Sequence, residues 1–230
     1  MKIYTVKEIK AHLHGISGKI LYLFDIDNTI VTTRTNFGLN IDKLKSIRQY
    51  HNDKNYINHL ISKWRITREV FLTDEQWPEF LQSIETPYAL TQMDVGCLGE
   101  IASIEQWRNN ELCNLKIKFS RVCPIDDKIY NEPKSIGVEN ATFLNGIFYT
   151  GYALKRAVVK KILSSNKYDV VIFVDDRVEQ LEDVRHSCAE AKVQYLPMQF
   201  IMQTKHDAPK SLAEIESEAE IIRFLNLNLL

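Results

Sequence analysis

Two aspartates one residue apart, Asp25 and Asp27, follow directly on the apolar run "KILYLF" (19–24), and Asn28 and Thr29 come next. Carboxylates that close repel one another and lose solvation where a buried strand ends. Such a pair needs either full exposure or a cation. Three further positions bear on the choice. "VVIFV" (170–174) also ends in an acid pair, Asp175 and Asp176, "TPYAL" (86–90) ends in Thr91, and the helical pattern "YALKRAVVKK" carries Lys155 near its start. Ligands of open α/β sheets bind beyond the carboxyl ends of the strands. Gathered at one such edge, these residues supply four carboxylates, one hydroxyl and one ammonium. Oxygen donors alone suit a hard cation such as Mg²⁺, and a metal with a neighbouring lysine makes the acid pair tolerable.

The elements that must hold these groups alternate between apolar runs and helical patterns. "KILYLFDID" (19–27), "REVFLT" (68–73), "TPYALT" (86–91), "LKIKFS" (115–120), "YDVVIFVDD" (168–176) and "KVQYLPM" (192–198) read as strands. "ATFLNGIFYTG" (141–151) predicts a hairpin about Asn145-Gly146. Helices are expected in "DEQWPEFLQSIE" (74–85), "EIASIEQWRNNEL" (100–112), "YALKRAVVKKILSS" (152–165), "VEQLEDVRHSCAEA" (178–191) and "SLAEIESEAEIIRFL" (211–225), the last opening on the capping spacing of Ser211 and Glu214. This alternation predicts a three-layer, Rossmann-like α/β fold with a mainly parallel sheet. Residues 1–230 read as one domain. The polar stretch 31–66 reads as a small helical cap insert over the C-terminal edge of the sheet. Residues 121–140 carry no clear pattern.

Bulk properties narrow the function. The 230 residues are 45% apolar with a formal net charge of −1. That suits one sizeable core and gives no support to a nucleic-acid or anionic-membrane binder, which carries a basic excess. The four cysteines form no C-x-x-C pair. No signal-peptide pattern opens the chain and no stretch approaches a membrane span, so a cytoplasmic location is expected, signal-less secretion remaining open.

The ordered set Asp25-Ile26-Asp27-Asn28-Thr29, Thr91, Lys155 and Asp175-Asp176 resembles the haloacid dehalogenase-like (HAD) phosphohydrolase superfamily over residues 20–177. "LFDIDNTI", "ALT", "FLNGIFYTGYALK" and "VIFVDD" look more narrowly like one poorly characterised bacterial branch of it. Members there often carry Lys-Gly where this chain has Lys155-Arg156, and Thr-x-Arg where it has Thr91-Gln92-Met93. The resemblance implies a Mg²⁺-dependent phosphatase acting on a small or macromolecular phosphomonoester. Asp25 is then the nucleophile that forms an aspartyl-phosphate, and Asp27 the acid and base. Thr91 binds a phosphoryl oxygen and Lys155 offsets charge. The metal lies between the Asp25 carboxylate, the Asp27 backbone carbonyl and Asp175. Asp176 is either a ligand through water or an orienting group. A phosphotransferase and a non-catalytic interaction protein are the alternatives on the same fold.

Competing residues exist for two roles. Lys160 and Lys161 share a helix with Lys155 but lie farther from its start, and Thr73 and Ser120 rival Thr91. The six histidines, His12, His14, His51, His59, His186 and His206, show no metal-ligand spacing. Trp64, Trp77 and Trp107 read as packing residues. Within the insert, Arg34, Asn36, Phe37, Arg48, Tyr50 and His51 are expected either to meet substrate or simply to solvate the insert.

Overall fold

A computed structural model describes residues 1–33, 37–203 and 209–228. In chain order its elements begin with β1 (Lys2–Ile3), α1 (Val6–Leu13), β2 (Ile20–Phe24), β3 (Val31–Thr33), α2 (Gly38–Arg48) and α3 (Lys54–Thr67). β4 (Val70–Leu72), α4 (Trp77–Ser83), β5 (Pro87–Thr91), α5 (Ile104–Asn114), β6 (Val122–Cys123), β7 (Lys128–Ile129) and β8 (Lys134–Ser135) follow. The chain closes with β9 (Thr142–Leu144), β10 (Ile147–Tyr149), α6 (Lys155–Ser165), β11 (Val170–Asp175), α7 (Val178–Ala191), β12 (Gln194–Phe200) and α8 (Leu212–Asn228). These form two compact units. The larger comprises Met1–Thr32, Leu72–Val95 and Glu105–Gln203, the smaller Thr33–Phe71, Gly96–Ile104 and Thr204–Leu230.

The larger unit is a three-layer, Rossmann-like α/β fold on an eight-stranded sheet ordered β1-β12-β11-β2-β5-β10-β9-β8. The first six strands of that order pair in parallel, while β9 and β8 add antiparallel at the far edge. Successive side chains of a strand point to opposite faces, and β2 obeys this strictly. Leu21 and Leu23 join Val171 and Phe173 of β11 in a core with Val158 and Ile162 of α6 and Leu181 and Val184 of α7. Phe24 turns to the other face, edge-on to Trp77 at 5.7 Å and to Phe80 at 6.0 Å, both from α4. Burying both faces explains why the central strands read as unbroken apolar runs.

The hairpin expected at Asn145-Gly146 is present between β9 and β10, with φ of 48° and 84° at the two turn residues. Gly146 is also required by space, since a Cβ there would lie 2.4 Å from the Ser120 carbonyl oxygen.

Two expectations are corrected, and one strand is present as expected but in a sheet of its own. "LKIKFS" (115–120) is no strand: Lys116 turns through φ 60° and Ile117 N–H donates back to Leu112, ending α5. "REVFLT" supplies β4, which pairs with β3 in a separate two-stranded sheet rather than in the main one. Residues 100–103 precede α5 as an irregular turn closed by the Leu98–Ile101 bridge. The two-residue β1 and the helix α1 are additions the sequence pattern did not assign, as are the short strands within 121–140.

In the smaller unit α8 packs on α3. Lys63 Nζ lies 2.7 Å from Glu220 Oε2, and Tyr56 sets its ring against Phe224. Asp53 caps α3 by accepting from Tyr56 N–H at 2.9 Å. Gly99 lets residues 96–104 approach α3, because a Cβ there would meet Asn58 O at 2.5 Å. Ser211 caps α8 as its spacing foretold, accepting from Glu214 N–H at 3.1 Å. Among the described residues no helix is long and apolar enough to cross a membrane.

Candidate active site

Strand alternation decides where the acids point. Asp25 continues the row Leu21, Leu23, and Asp175 continues the row Val171, Phe173, so both carboxylates emerge on the face covered by α6. The two strands are in register, Val174 opposite Phe24, and Asp25 N–H extends the ladder by donating to Val174 O at 2.8 Å. Lys155 is the first residue of α6. Its buried ammonium donates to Asp25 Oδ1 at 2.5 Å and to Asp175 Oδ2 at 2.7 Å. Asp175 uses its other oxygen to accept from Arg177 N–H at 2.8 Å, at the start of α7. Asp176, half-buried, completes a group in which Asp25, Asp175 and Asp176 bring one oxygen each within 4.8 Å of one another.

One ammonium among three carboxylates leaves two negative charges uncompensated, the charge a divalent cation carries. The all-oxygen donor set fits a hard ion. Electrostatics carry the same message. Burial, opposed by Lys155 and reinforced by Asp175 and Asp176, pushes the Asp25 carboxyl up to about 8. Burial and Asp175 push Asp176 up to about 6. Burial alone would lower the Lys155 ammonium, but Asp25 and Asp175 outweigh it and hold it above its ordinary value. Protons or a metal must therefore share the cluster.

Beyond Asp25 the chain turns sharply. Asn28 adopts the left-handed region at φ 62°, its N–H donating to Val31 O at 2.7 Å, and Ile30 N–H returns to Ile26 O at 2.9 Å. Thr29 is fully buried, and its carbonyl accepts from the Thr73 hydroxyl, which gives Thr73 a structural place in this turn. The turn brings the Asp27 side chain to α5. Arg108 of α5 meets it there, with Nη2 2.9 Å from Oδ1 and 2.8 Å from Oδ2 of Asp27, while Nη1 reaches Glu111 at 2.5 Å. The Glu105 carbonyl accepts from Tyr149 O–H at 3.0 Å, and the Glu105 carboxylate accepts from Thr142 at 3.0 Å, fixing α5 to β9 and β10.

Thr91 lies buried at the end of β5, the strand beside β2, and its carbonyl accepts from Thr150 N–H. Gln92 follows and accepts from Arg177 Nη2 at 2.9 Å and from Gln180 Nε2 at 3.2 Å, tying the loop after β5 to the start of α7. Asp25, Asp175, Asp176 and Lys155 are thus brought into one cluster, with Asp27 on a separate clamp and Thr91 at the same sheet edge. Lys160 pairs instead with Glu190 at 2.7 Å. Of the insert residues, Phe37 packs against Trp64 at 5.9 Å, Arg48 donates to Asn58 at 3.0 Å and Tyr50 is exposed, all within the smaller unit. Arg34, Asn36 and His206 lie outside the described residues.

Arg108 is the residue that sequence reasoning missed. In "EQWRNNEL" it looks like an exposed arginine with a glutamate three residues on, and only its complete burial sets it apart.

No curated protein and no solved structure matches this chain. Residues 2–229 match the family model described as "Protein of unknown function (DUF2608)", and the chain belongs to that family.

Proposed function

We propose that this chain is a Mg²⁺-dependent phosphatase of the haloacid dehalogenase-like kind, hydrolysing a phosphomonoester by way of a phosphorylated Asp25. The observation that carries the reading is the Lys155 ammonium shared between Asp25 and Asp175, with Asp176 beside them. A buried cluster that keeps excess negative charge next to a lysine is costly as mere structure. It is well suited to a cation and a phosphoryl group.

In this reading the Asp25 carboxylate attacks phosphorus and the bond to the leaving oxygen breaks, with Asp27 supplying the proton that oxygen takes up. Water then attacks the aspartyl-phosphate, giving up a proton to Asp27, and inorganic phosphate departs with Asp25 restored. Lys155 offsets charge on Asp25 and on the phosphoryl group, and the Thr91 hydroxyl donates to a phosphoryl oxygen. Asp25, Asp175 and the Asp27 carbonyl would hold Mg²⁺, with Asp176 binding it through water or orienting the others. The ion supplies positive charge at the phosphoryl oxygens.

A second reading is transfer to an acceptor other than water, since Asp27, with 46% of its side chain exposed, would take a proton from an alcohol as it would from water. The test is phosphate release from an aryl phosphate by purified protein with Mg²⁺ or with EDTA, beside Asp25→Asn. Metal-dependent release abolished by the substitution is expected. Release that survives in Asp25→Asn overturns the assignment, and product formed only with an added alcohol acceptor selects the transferase.

A further inference from the structure

We propose that α8 pairs two copies of this chain, antiparallel, about a two-fold axis. The helix has two apolar faces. One, containing Ile221, Phe224 and Leu225, is buried within its own chain. The other leaves Leu212 79%, Ile215 48% and Ile222 45% exposed, and Ala219 is exposed between them. Leu212, Ile215, Ala219 and Ile222 follow one another in steps of three, four and three, and the next step of four reaches the exposed Asn226. That is the spacing of a seam between two helices. Ala219 at its middle lets the two backbones approach closely.

The charges beside the seam select the partner and its direction. On one flank stand Glu216 and Arg223, seven residues apart and both exposed. On the other stand Glu218 and Leu225, both buried in the chain itself, Glu218 pairing with Lys210. A parallel partner would set Glu216 and Arg223 against that buried flank. An antiparallel copy sets like flanks together, so Glu216 of each copy meets Arg223 of the other, twice by symmetry. Arg223 is exposed and lies close enough to Tyr56 to act on it electrostatically, and among the described residues its hydrogen bond is a long one of 3.4 Å from Nε to Ala219 O in its own helix. A seam of one helix per copy falls at the small end of specific interfaces, so concentration sets how much dimer forms.

Sedimentation equilibrium over rising protein concentration tests this. The wild type should move from 26.8 kDa towards twice that mass, and Ile222→Glu should stay monomeric. Glu216→Arg alone and Arg223→Glu alone should each weaken association by about tenfold, since each turns both attractions into repulsions. Mixing these two variants should restore it, because every facing pair is then opposite in sign. The substituted side chains are solvent-facing, and circular dichroism checks that the fold is kept. A wild type that remains at 26.8 kDa throughout, a dimer that survives Ile222→Glu, or two charge variants that do not rescue one another overturns the proposal.

Discussion

A single nitrogen of Arg108, Nη2, stands 2.9 and 2.8 Å from the two carboxylate oxygens of Asp27, and the guanidinium that makes this contact is itself fully buried. Asp27 keeps 46% of its side chain exposed, so the clamped carboxylate is still reached by solvent. Burial works against charge on the guanidinium, but Asp27 and Glu111 outweigh it and hold Arg108 protonated.

Replacing Arg108 should therefore cost both stability and rate. Arg108→Gln removes the buried guanidinium that Glu111 and Asp27 share, with an expected loss of about 3 kcal/mol in urea unfolding. In the phosphatase reading, kcat falls by about ten- to a hundredfold while KM barely moves, because Asp27 acts on protons and not on binding. A raised KM at unchanged kcat would assign Arg108 to substrate binding instead.

Metal-free stability should fall as pH rises. Asp25 and Asp176, raised to about 8 and about 6, bind their protons more tightly folded than unfolded. Groups of that kind stabilise the fold below the ordinary carboxylate value near 4 and lose the contribution as pH climbs through their folded values. Lys155, also raised, stays charged throughout this window. In EDTA the melting temperature should decline between about pH 5 and pH 8. Mg²⁺ takes the place of the protons, so its stabilisation should grow over the same interval. Scanning calorimetry with and without Mg²⁺ at each pH reads both slopes, and an equal Mg²⁺ effect at the two ends would remove the cluster as the binding site.

The two carboxylates on Lys155 should respond oppositely to substitution. Asp25→Asn removes a buried charge while keeping shape, so the metal-free variant loses much of the alkaline destabilisation, and in the phosphatase reading it also loses turnover. Asp175→Ala breaks the bond to Lys155 and the one from Arg177 N–H together, lowering stability by about 2–3 kcal/mol. Chemical denaturation of both variants in EDTA at alkaline pH measures the contrast. Equal losses would mean that Asp25 contributes as a structural ion pair.

Thiol reactivity should divide the cysteines in two. Cys97 and Cys113 are exposed, whereas Cys123 and Cys188 are buried, and burial pushes their thiols up to about 11 and about 12. Fewer thiolates and poorer access both slow alkylation. Peptide mass spectrometry after brief iodoacetamide treatment of folded protein should find label on the first pair, with the second labelled only after unfolding.

The parts of this arrangement that sequence makes legible are those that strand chemistry dictates. β2, β5 and β11 are buried on both faces, so they read as apolar runs whose ends are unmistakable, and the residues just past those ends stand out. Asn145-Gly146 was equally readable, because few dipeptides accept two positive φ values in succession. "LKIKFS" alternates like a strand but follows α5 so closely that one left-handed residue, Lys116, serves to end the helix. "REVFLT" has strand composition, yet nothing local says which sheet a strand will join. The burial of Arg108 depends on Asp27, 81 positions earlier, and no pattern within one helix encodes such a distant partner.

The pairing of β2 with β11 also sets an order of events during synthesis. β2 leaves the ribosome early, but the strand that carries Asp175 is about 150 residues behind it, and contacts of such sequence separation form late. Until then β2 lacks one neighbour and Lys155 lacks Asp175, one of its two carboxylate partners. The acidic cluster is accordingly among the last things the nascent chain can build. A chain truncated ahead of β11 would carry Asp25 and Asp27 at the end of an incomplete sheet, with an exposed strand edge and without Asp175 and Asp176.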